Sequence, residues 1–476
     1  MFWSVLLWII CGFFLLLTIA IIRTLLIPNQ KSTYTAPRDP QREEKYAQIL
    51  SAMVAQETVS QKEQSDLSKF YAFHDLLEKL FPNIHRVCQK IEIDGNLLFV
   101  WKGKSGEKPI LLMSHHDVVE ASGQWEHPAF SGAIADDRIW GRGSCDTKSS
   151  LMALLQACEE LIETGFTPNC DVYLASSCTE EISGDGGPKI VQYLKDHHIH
   201  LSMLSDEGGA LTADPIPGVK GYFAMVGIFE KGCANVKFTA KSKGGHASAP
   251  PKNTPLARLA AFVNHIETKK VFKVKFTAPV RAMFTRLAPY CAFPLKLIFG
   301  NLWLFEPLLK VLLPKLSPQA AAMLKTTIVF TMAQGSNGQN VIPEAASVQC
   351  NMRFIPHQAK EESFAILEKL CKKYGLEMEI QFADNPSPSL DLQGEAYALT
   401  EKAVQAVFKG SACVPYVVTG ATDARFYHEV ADACVRFAPV LYDPQQLKSM
   451  HGLNENVYTY ALPPAVDYYK FIVQNQ

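Results

Sequence analysis

The chain has 476 residues, of which 48% are hydrophobic and 20% charged, so a sizeable core can form and global disorder is excluded. This length suits two domains, or one domain with a large insertion. The 46 basic and 47 acidic residues give a formal net charge of −1, which argues against nucleic acid as a partner. The twelve cysteines show no framework spacing and are expected to be mostly buried free thiols.

The N-terminal segment, residues 1–22, carries no charged side chain and is long enough to cross a hydrocarbon core of about 30 Å as a helix. A secretory signal peptide is the competing interpretation, but neither a basic n-region nor a small-x-small cleavage site is evident. We therefore predict a single-pass transmembrane anchor over residues 1–27 and a polar linker over residues 28–45. The side of the membrane stays open, because the basic residues after the segment favour the cytoplasm whereas an uncleaved export signal would place the body outside.

The body begins with helical periodicity over residues 46–90, and short apolar runs then alternate with helical stretches. Strands are predicted over residues 97–101, 109–115 and 171–177, with a helix over 149–165. This alternation predicts an α/β class protein with a doubly wound sheet, in which sites form at the carboxyl ends of the strands.

The pattern changes near residue 231 to the order β-α-β-β-α-β, which is typical of a small ferredoxin-like α+β domain. Its elements are predicted over residues 234–242, 254–268, 327–334, 346–354, 360–375 and 376–383. We predict that this unit, residues 231–384, is inserted between two parts of a catalytic domain, residues 46–230 and 385–476.

An apolar stretch over residues 280–316 interrupts the inserted unit. It contains Pro294, Pro307, Lys296 and Glu306, so a second membrane span is disfavoured. A core hairpin, or the apolar wall of a substrate channel, fits the composition better.

Five short segments place a His, Asp or Glu at or just after a predicted strand end. They are SHHDVV (114–119), GRGSCDTK (141–148), TEEISGDGG (179–187), LSDEGG (204–209) and SMHGLNE (449–455). On a strand, His115 and Asp117 point to one side and His116 to the other, so Asp117 could orient His115 as a metal ligand. A surface cluster, and His116 as the ligand, are the alternatives.

The remaining acidic residues each allow a plain structural interpretation. Asp146 could cap the following helix or bridge two metals. Glu180 and Glu181 form either a solvated acidic loop or a carboxylate pair held by cations, because adjacent carboxylates otherwise repel each other. Asp206 ends a short apolar run, and a lone His451 is usually structural. Together the candidates form an N/O donor set that suits zinc, with cobalt or manganese as substitutes.

Taken in order, these motifs resemble the aminoacylase and carboxypeptidase-S family of two-zinc metallopeptidases. The resemblance runs from about residue 45 to the end and is closest to the branch that holds carboxypeptidase S and the N-fatty-acyl-amino-acid synthase/hydrolase. Its bridging Asp is usually followed by a second Asp, where this chain has Thr147. The matched motifs are H-x-D at 115–117, the glycine-flanked Asp146, Glu-Glu at 180–181, D-E-G-G at 206–209 and H-G-x-N-E at 451–455.

The resemblance implies specific roles for these residues. It implies five metal ligands for two zinc ions: His115 and Asp206 on one, Glu181 and His451 on the other, and Asp146 bridging both. Asp117 would orient His115, and Glu180 would be the general base. The peptide bond after Asp146 is often cis in this family.

The inserted unit resembles the family's lid domain. Its GGHASAPP segment (244–251) implies that His246 stabilises the oxyanion, a role that the neighbouring subunit supplies in dimeric members, so a homodimer through the lid is a candidate assembly. Asn340 and Arg353 match lid residues that bind a substrate carboxylate, and Arg425 is a second candidate. A strand-surface ion pair is the alternative for Arg353.

The function predicted from the sequence is a membrane-anchored two-zinc amidohydrolase. It would hydrolyse an amide bond next to a free carboxylate, in N-acyl amino acids or short peptides. One alternative is the condensation of a fatty acid with an amino acid. A non-catalytic tethered binding protein is disfavoured, because the general base and every proposed ligand are present.

Overall fold

The computed structural model describes residues 2–63 and 66–476. Helix α1 (Phe2–Leu26) has a mean hydropathy of 3.0 over its most apolar window, and only 6% of that window is buried. Within the described residues it is the one straight helix that is long and apolar enough to cross a membrane. Length and composition alone fit an anchor and a signal sequence equally well.

Three groups of elements follow α1. The first comprises α2 (Pro40–Ala55), α3 (Ser68–Leu80), α4 (Pro82–Val87), β1 (Gln89–Ile93), β2 (Asn96–Trp101), β3 (Ser105–Met113), β4 (Ala133–Ala135), β5 (Arg138–Trp140), α5 (Lys148–Glu163), β6 (Cys170–Ser176), α6 (Gly186–Asp196), β7 (Met203–Asp206), β8 (Ala210–Ala213) and β9 (Tyr222–Glu230). The second comprises β10 (Gly232–Lys241), β11 (Gly245–His246), α7 (Pro255–Thr268), α8 (Ala278–Leu287), α9 (Phe293–Gly300), α10 (Leu302–Leu316), α11 (Pro318–Leu324), β12 (Thr327–Gln334), β13 (Val341–Ile342), β14 (Ala345–Phe354), α12 (Lys360–Tyr374) and β15 (Glu377–Ala383). The third comprises α13 (Glu395–Val407), β16 (Ala412–Val418), β17 (Cys434–Arg436), β18 (Leu441–Tyr442), α14 (Pro444–Ser449), β19 (Asn456–Tyr458) and α15 (Leu462–Asn475).

The segment predicted as a polar linker is packed against the body. Ser32 Oγ donates a hydrogen bond to the Tyr222 carbonyl, and Tyr34 is buried. Helix α2 begins at Pro40, inside the predicted linker, because the Asp39 carboxylate caps its first turn and proline suits the first helical position.

A ten-stranded mixed sheet dominates the first and third groups. Its strand order is β1-β2-β6-β3-β7-β17-β9-β8-β18, with β16 pairing beside β9. Strand β3 is parallel to β6 and β7, as expected for an α/β sheet, whereas β1 and β2 form an antiparallel hairpin at one edge. The hairpin follows from the Asp94-Gly95 turn, in which both residues have positive φ.

Helices cover both faces of this sheet. On β2, Leu97 and Phe99 belong to a core shared with α5 and α15, while Leu98 and Val100 belong to a second core shared with α6. Successive side chains of a strand point to opposite faces, so an uninterrupted apolar run such as β2 is what a sheet buried on both sides requires.

A separate antiparallel sheet with the order β12-β14-β10-β15 carries the second group. It follows the β-α-β-β-α-β order of the sequence pattern and has its own core, in which Phe238 of β10 packs with Phe262 of α7 and Leu367 of α12. The chain enters this sheet after Glu230 and returns at Ser387, and these two residues are hydrogen-bonded to each other.

The apolar stretch 280–316 forms short helices rather than one long one. Helix α8 packs into the main core through Val280 and Phe284. Helices α9 and α10 meet at an angle of 103°, so their combined apolar length does not form a straight span. Asn301, at the bend, donates hydrogen bonds to the Ala20 carbonyl and to Thr24 Oγ1, which fixes the bend against the last turns of α1.

Candidate metal centre and active site

His115 follows strand β3 and is almost completely buried. Its Nδ1 donates to the Asp117 carbonyl at 2.9 Å, so Nε2 is the atom that faces Asp146 Oδ1 at 3.1 Å and Glu207 Oε1 at 3.3 Å. Burial lowers the pKa of His115, but the carboxylates of Glu207, Asp117 and Asp146 outweigh it and raise that pKa well above the usual value. A fixed Nδ1 partner presents Nε2 as the ligand atom.

Asp146 lies between two histidines. Its Oδ1 is 3.1 Å from His115 Nε2, and its Oδ2 is 3.1 Å from His451 Nε2. Burial acts to raise the pKa of the carboxyl group, but the hydrogen bonds from the two histidines lower it below the usual value. The Asp146–Thr147 peptide bond is cis. One carboxylate thus offers an oxygen to each of two neighbouring groups of ligands.

The second group consists of Asp146, Glu181 and His451. His451 Nε2 is 3.0 Å from Glu181 Oε2, and hydrogen bonds from Asp146 and Glu181 raise the pKa of His451 to about 10. Glu181 Oε1 is buried and has no hydrogen-bond partner among the described residues. An orphaned carboxylate oxygen next to an imidazole and a second carboxylate fits a bound cation, because burial without a partner is otherwise costly.

The structure differs from the sequence prediction at Asp206. The ligand atoms of His115, Asp146 and Glu207 lie within 4.8 Å of one another, and Asp206 belongs to neither such group among the described residues. Asp206 is the last residue of β7, and its carboxylate accepts hydrogen bonds from the backbone N–H of Glu207 and of Ala424. Asp206 therefore supports the strand end, and its neighbour Glu207 reaches the cluster.

Asp117 connects His115 to the Glu180-Glu181 segment. Its carboxylate accepts hydrogen bonds from Ser60 Oγ at 2.7 Å and from the backbone N–H of Glu180 and Glu181 at 3.1 Å each. The Asp117 carbonyl, rather than the carboxylate, is the nearest partner of His115 Nδ1, since Oδ1 is 3.4 Å away. Burial raises the pKa of the Glu180 carboxyl well above its usual value.

Two further buried carboxylates support the cluster, and the sequence prediction gave neither a role. Glu455 accepts hydrogen bonds from the backbone N–H of Gly143, Cys145 and Asp146 and forms an ion pair with Arg142. Asp423 accepts a hydrogen bond from Ser177, which follows β6. Glu455 lies inside the marked segment 449–455, whereas Asp423 lies two residues before the candidate Arg425.

The substrate-binding candidates lie outside both ligand groups. His246 pairs with Val341 in the small β11–β13 ribbon, and the Asn340 carbonyl accepts from the backbone N–H of Ala247, so His246 and Asn340 are neighbours. Arg353 lies on β14, with Nε 3.3 Å from Asn351 Oδ1.

Arg425 occupies a short 3₁₀ helix, Asp423–Glu429, and lies over the ring of Phe426. Its buried Nε has no hydrogen-bond partner among the described residues. An unpaired guanidinium nitrogen is compatible with the predicted role in carboxylate binding.

A cavity of about 680 Å³ adjoins the first group of candidate ligands, which consists of His115, Asp146 and Glu207. Asp146 and Glu207 lie at one side of it, and Met225, Leu447 and Met450 supply apolar side chains. Pockets of this size and lining are typical of small-molecule sites.

Residues 111–475 match the model of Peptidase family M20/M25/M40. The chain belongs to this family. Peptidases of the M20 family are metal-dependent, and the homologues are hydrolases that act on peptide or amide bonds. The chain is thus an M20 family peptidase or amidohydrolase, and the resemblance seen in the sequence is confirmed.

The relatives extend over nearly the whole chain. The N-fatty-acyl-amino acid synthase/hydrolase PM20D1 of Xenopus tropicalis is 30% identical over 98% of this chain and 93% of its own. The probable carboxypeptidase S-like 2 of Dictyostelium discoideum is 30% identical over 95% of this chain and 88% of its own length. Among solved structures, the M20 family metallo-carboxypeptidase Sso-CP2 of Sulfolobus solfataricus has a TM-score of 0.67 at 18% identity, over 90% of this chain and 98% of its own.

Proposed function

We propose that this M20 enzyme is a two-zinc amidohydrolase that cleaves the amide bond of N-acyl amino acids, next to the free carboxylate. The observation that carries the proposal is the position of Asp146, whose two oxygens each lie 3.1 Å from a different histidine. A carboxylate shared between two N/O ligand groups is suited to holding two metal ions side by side.

The proposed ligand set differs from the sequence prediction by one residue. Glu207 replaces Asp206, because Glu207 Oε1 lies 3.3 Å from His115 Nε2 whereas Asp206 is engaged by backbone N–H groups. The full set is His115, Glu207, Asp146, Glu181 and His451. Imidazole and carboxylate donors fit zinc, and also cobalt or manganese. Two ions held there supply the Lewis acidity that amide hydrolysis needs.

Glu180 is the proposed general base. It takes a proton from the attacking water and passes it to the nitrogen of the leaving amine, so that amide and water become a carboxylic acid and an amine, which leave as carboxylate and ammonium after the second water proton is transferred. Asp117 is a positioning residue. Its carboxylate accepts a hydrogen bond from the Glu180 backbone N–H, and its backbone carbonyl accepts one from His115 Nδ1, so it fixes the proposed base and the proposed ligand relative to each other.

His246 is proposed to donate a hydrogen bond to the carbonyl oxygen of the substrate. The backbone N–H of Ser248 donates to His246 Nδ1 at 3.1 Å, so the neutral ring carries its proton on Nε2 and can act as a donor. His246 is exposed and belongs to neither ligand group, which supports delivery across a homodimer of lid domains. The lid, residues 231–384, would then bring Asn340 and Arg353 to the substrate carboxylate, with Arg425 as the alternative clamp.

The acyl group is proposed to occupy the cavity beside Asp146 and Glu207. Its apolar side chains include Met225, Leu447 and Met450, which suit an aliphatic chain better than a charged peptide. The name of the PM20D1 relative supports an N-fatty-acyl amino acid, and that of the carboxypeptidase S-like relative supports a short peptide as the second candidate. The same residues serve condensation, so net direction follows the concentrations of acid, amine and amide.

The deciding experiment is turnover by the chelated full-length enzyme before and after zinc is restored. The substrates are the N-acetyl, N-oleoyl and glycyl derivatives of leucine and phenylalanine, assayed for release of the free amino acid. We expect zinc-dependent release, fastest from the N-oleoyl compounds. Preference for the glycyl compounds would replace the acyl assignment with a dipeptidase, and no release from any compound would overturn the proposal.

The N-terminal helix is proposed to be a retained membrane anchor. Asn301 is fully buried, and its amide donates to the Ala20 carbonyl and to Thr24 Oγ1, both also buried. Removal of α1 as a signal sequence would take away two of the amide's three acceptors and leave only the Leu297 carbonyl, at a cost of about 0.5–1.5 kcal/mol for each hydrogen bond lost. Intact-mass analysis of the detergent-extracted protein tests this: residues 1–27 should be present, and a new N-terminus beyond Ile27 would contradict retention.

A further inference from the structure

Helices α9 and α10 expose an apolar surface that nothing in the described chain covers. The side chains concerned are between 40% and 74% exposed: Phe293, Trp303, Leu308, Val311, Leu312 and Leu316. We refer to these six residues as the apolar patch. On α10, Leu308, Val311, Leu312 and Leu316 recur at helical spacing and so share one face. Six large apolar side chains on adjacent helices form a surface of the kind that marks an interaction site.

The charged residues of α9 and α10 are withdrawn from this surface or placed at its edge. Lys296 is buried and bonded to the carbonyls of Ile27 and Pro28. Glu306 is paired with Arg281 at 2.8 Å and with Lys310 at 2.7 Å. Lys315 is exposed at the end of α10, where a long side chain can reach an aqueous layer. Apart from Lys315 at its C-terminal end, the exposed face of α10 that carries the patch is therefore formed by apolar side chains.

The patch continues the apolar surface of α1. The bend at Asn301 is bonded to Ala20 and Thr24, and Gly300 approaches Ile27 so closely that an added Cβ would lie 2.3 Å from its Cδ1. The contact lies at the C-terminal end of α1, after enough residues to cross a hydrocarbon core of about 30 Å. Helices α9 and α10 thus lie at the level where α1 leaves the membrane.

The same helices lead to the cavity beside the metal centre. Helix α11 begins at Pro318, directly after α10, and its second residue, Gln319, lines the cavity together with Asp146 and Glu207. An acyl chain leaving a bilayer at α10 would therefore enter the protein next to the lining of its proposed pocket.

We propose that α9 and α10 lie in the interfacial layer of the lipid bilayer, with the apolar patch immersed, so that the cavity opens to lipid-dissolved substrate. The inference rests on the proposed anchor and goes beyond it. Helix α10 has 15 residues, about 22 Å of helix, and is bent away from α9 by 103°, so the pair lies in the interface and does not cross the membrane.

Trp303 provides a direct test in the full-length protein. With Trp3→Phe and Trp8→Phe in place, the enzyme is reconstituted in phosphatidylcholine vesicles with and without dibrominated acyl chains, which quench only nearby tryptophans. We expect strong quenching that disappears when Trp303→Phe is added and persists when Trp125→Phe is added instead. Quenching that is equal with and without Trp303 would overturn the inference. A protein partner that covers the patch would give this result, because it would keep Trp303 away from the brominated chains.

A substrate comparison tests the link to the cavity. Leu308→Glu is expected to lower turnover of vesicle-borne N-oleoyl-leucine by about tenfold, because a carboxylate replaces immersed apolar surface. It should leave turnover of soluble N-acetyl-leucine unchanged. Val87→Glu, at an equally exposed apolar position on α4, should change neither. Equal losses on both substrates, or no loss on either, would overturn the proposed entry route.

The two measurements separate this inference from the proposed function. If the unmodified enzyme releases leucine from neither substrate, the proposed function fails while bromolipid quenching of Trp303 still decides the position of α9 and α10. If turnover is present and Trp303 is not quenched, the metal centre is unaffected and the interfacial position is rejected.

Discussion

The carboxylate Oδ1 of Asp117 accepts a hydrogen bond at 3.1 Å from the backbone N–H of Glu180. A residue two positions after the first candidate histidine ligand, His115, thereby fixes the segment that carries the proposed base. Strands β3 and β6 are parallel neighbours, so their carboxyl ends meet at one edge of the sheet, which explains how residues 63 positions apart become bonded.

Glu180→Gln is expected to lower kcat by about 10²–10⁴-fold while both metal sites stay filled, because the amide cannot accept the proton of water. Elemental analysis of the purified variant, alongside turnover of the preferred substrate, checks both parts. Glu395→Gln, at an exposed position on α13, is the matched control and should behave as the unmodified enzyme. Near-normal turnover in Glu180→Gln would remove Glu180 from the role of base.

Glu207→Gln is expected to lower metal affinity, whereas Asp206→Asn is expected to lower thermal stability. Glu207→Gln should weaken one metal site by more than about 100-fold, since a direct ligand contributes more than the outer partners whose loss costs about 10–100-fold. Asp206→Asn should retain both metals but lower the thermal midpoint, because its carboxylate holds the Glu207 and Ala424 backbone. Metal titration of both variants measures the affinity of each site. Weaker metal binding in Asp206→Asn and unchanged binding in Glu207→Gln would restore Asp206 as the ligand.

Arg353→Ala is expected to raise KM about 10–100-fold for substrates with a free carboxylate, the loss of a charge-assisted pair worth about 1.5–3 kcal/mol. Turnover of the C-terminally amidated analogue should be unchanged, because that substrate has no carboxylate to bind. Arg425→Ala is measured in parallel as the competing clamp. An equal effect of Arg353→Ala on both substrates would contradict the clamp.

Removal of residues 1–27 is expected to release an active enzyme with a thermal midpoint lower by about 1–3 °C, since the truncation removes Ala20 and Thr24 and leaves the Asn301 amide only the Leu297 carbonyl. Removal of residues 2–17 retains Ala20 and Thr24 and should leave the midpoint unchanged. Calorimetry of the two truncated proteins provides the comparison. Identical midpoints would show that the α1 contact contributes nothing to stability.

Lys231 is expected to make stability depend on pH. It is buried between β9 and β10, and burial lowers its pKa to about 7 from 10.5. Between these values the unfolded chain binds a proton that the native lysine lacks, so the free energy of unfolding rises with pH across that window. Lys231→Met loses the Nζ hydrogen bonds to the Lys325 carbonyl and Thr327 Oγ1 at every pH, so its free energy of unfolding relative to the unmodified enzyme should be highest below pH 7 and fall towards pH 10.

Denaturant unfolding at pH 6, 8 and 10 measures the Lys231 effect, with Lys252→Met, at an exposed position, as the control. A difference between Lys231→Met and the unmodified enzyme that is constant across the three pH values would contradict a buried, weakly protonated lysine.

Periodicity predicted the regular elements well. Strand β12 begins and ends at the predicted residues 327 and 334, and α7 lies within one residue of its predicted bounds. These elements are long, apolar on a consistent face and bounded by turn residues, so local pattern and tertiary packing agree. The predicted linker was packed instead, because the contacts of Tyr34 and Ser32 are made with residues far away in the chain.

Within the candidate site, the motifs marked segments that the structure brings together, and geometry was needed to choose candidate ligands within them. Asp206 and Glu207 are adjacent carboxylates at the end of β7, and only the direction in which the strand ends distinguishes them. Glu455 was marked by its motif but not assigned, since its partners are the backbone N–H groups of residues 143, 145 and 146. Every residue except proline carries a backbone N–H, so the residue types alone do not show which of these groups bind Glu455.

The entry and exit of the antiparallel sheet lie side by side. Glu230 donates its backbone N–H to Ser387 Oγ, and the Ser387 backbone N–H donates to the Glu230 carbonyl. A gene can gain, lose or exchange a unit that joins its host through two touching positions without displacing a strand of the larger sheet. The inserted unit and the larger sheet are thus free to evolve at different rates in one protein.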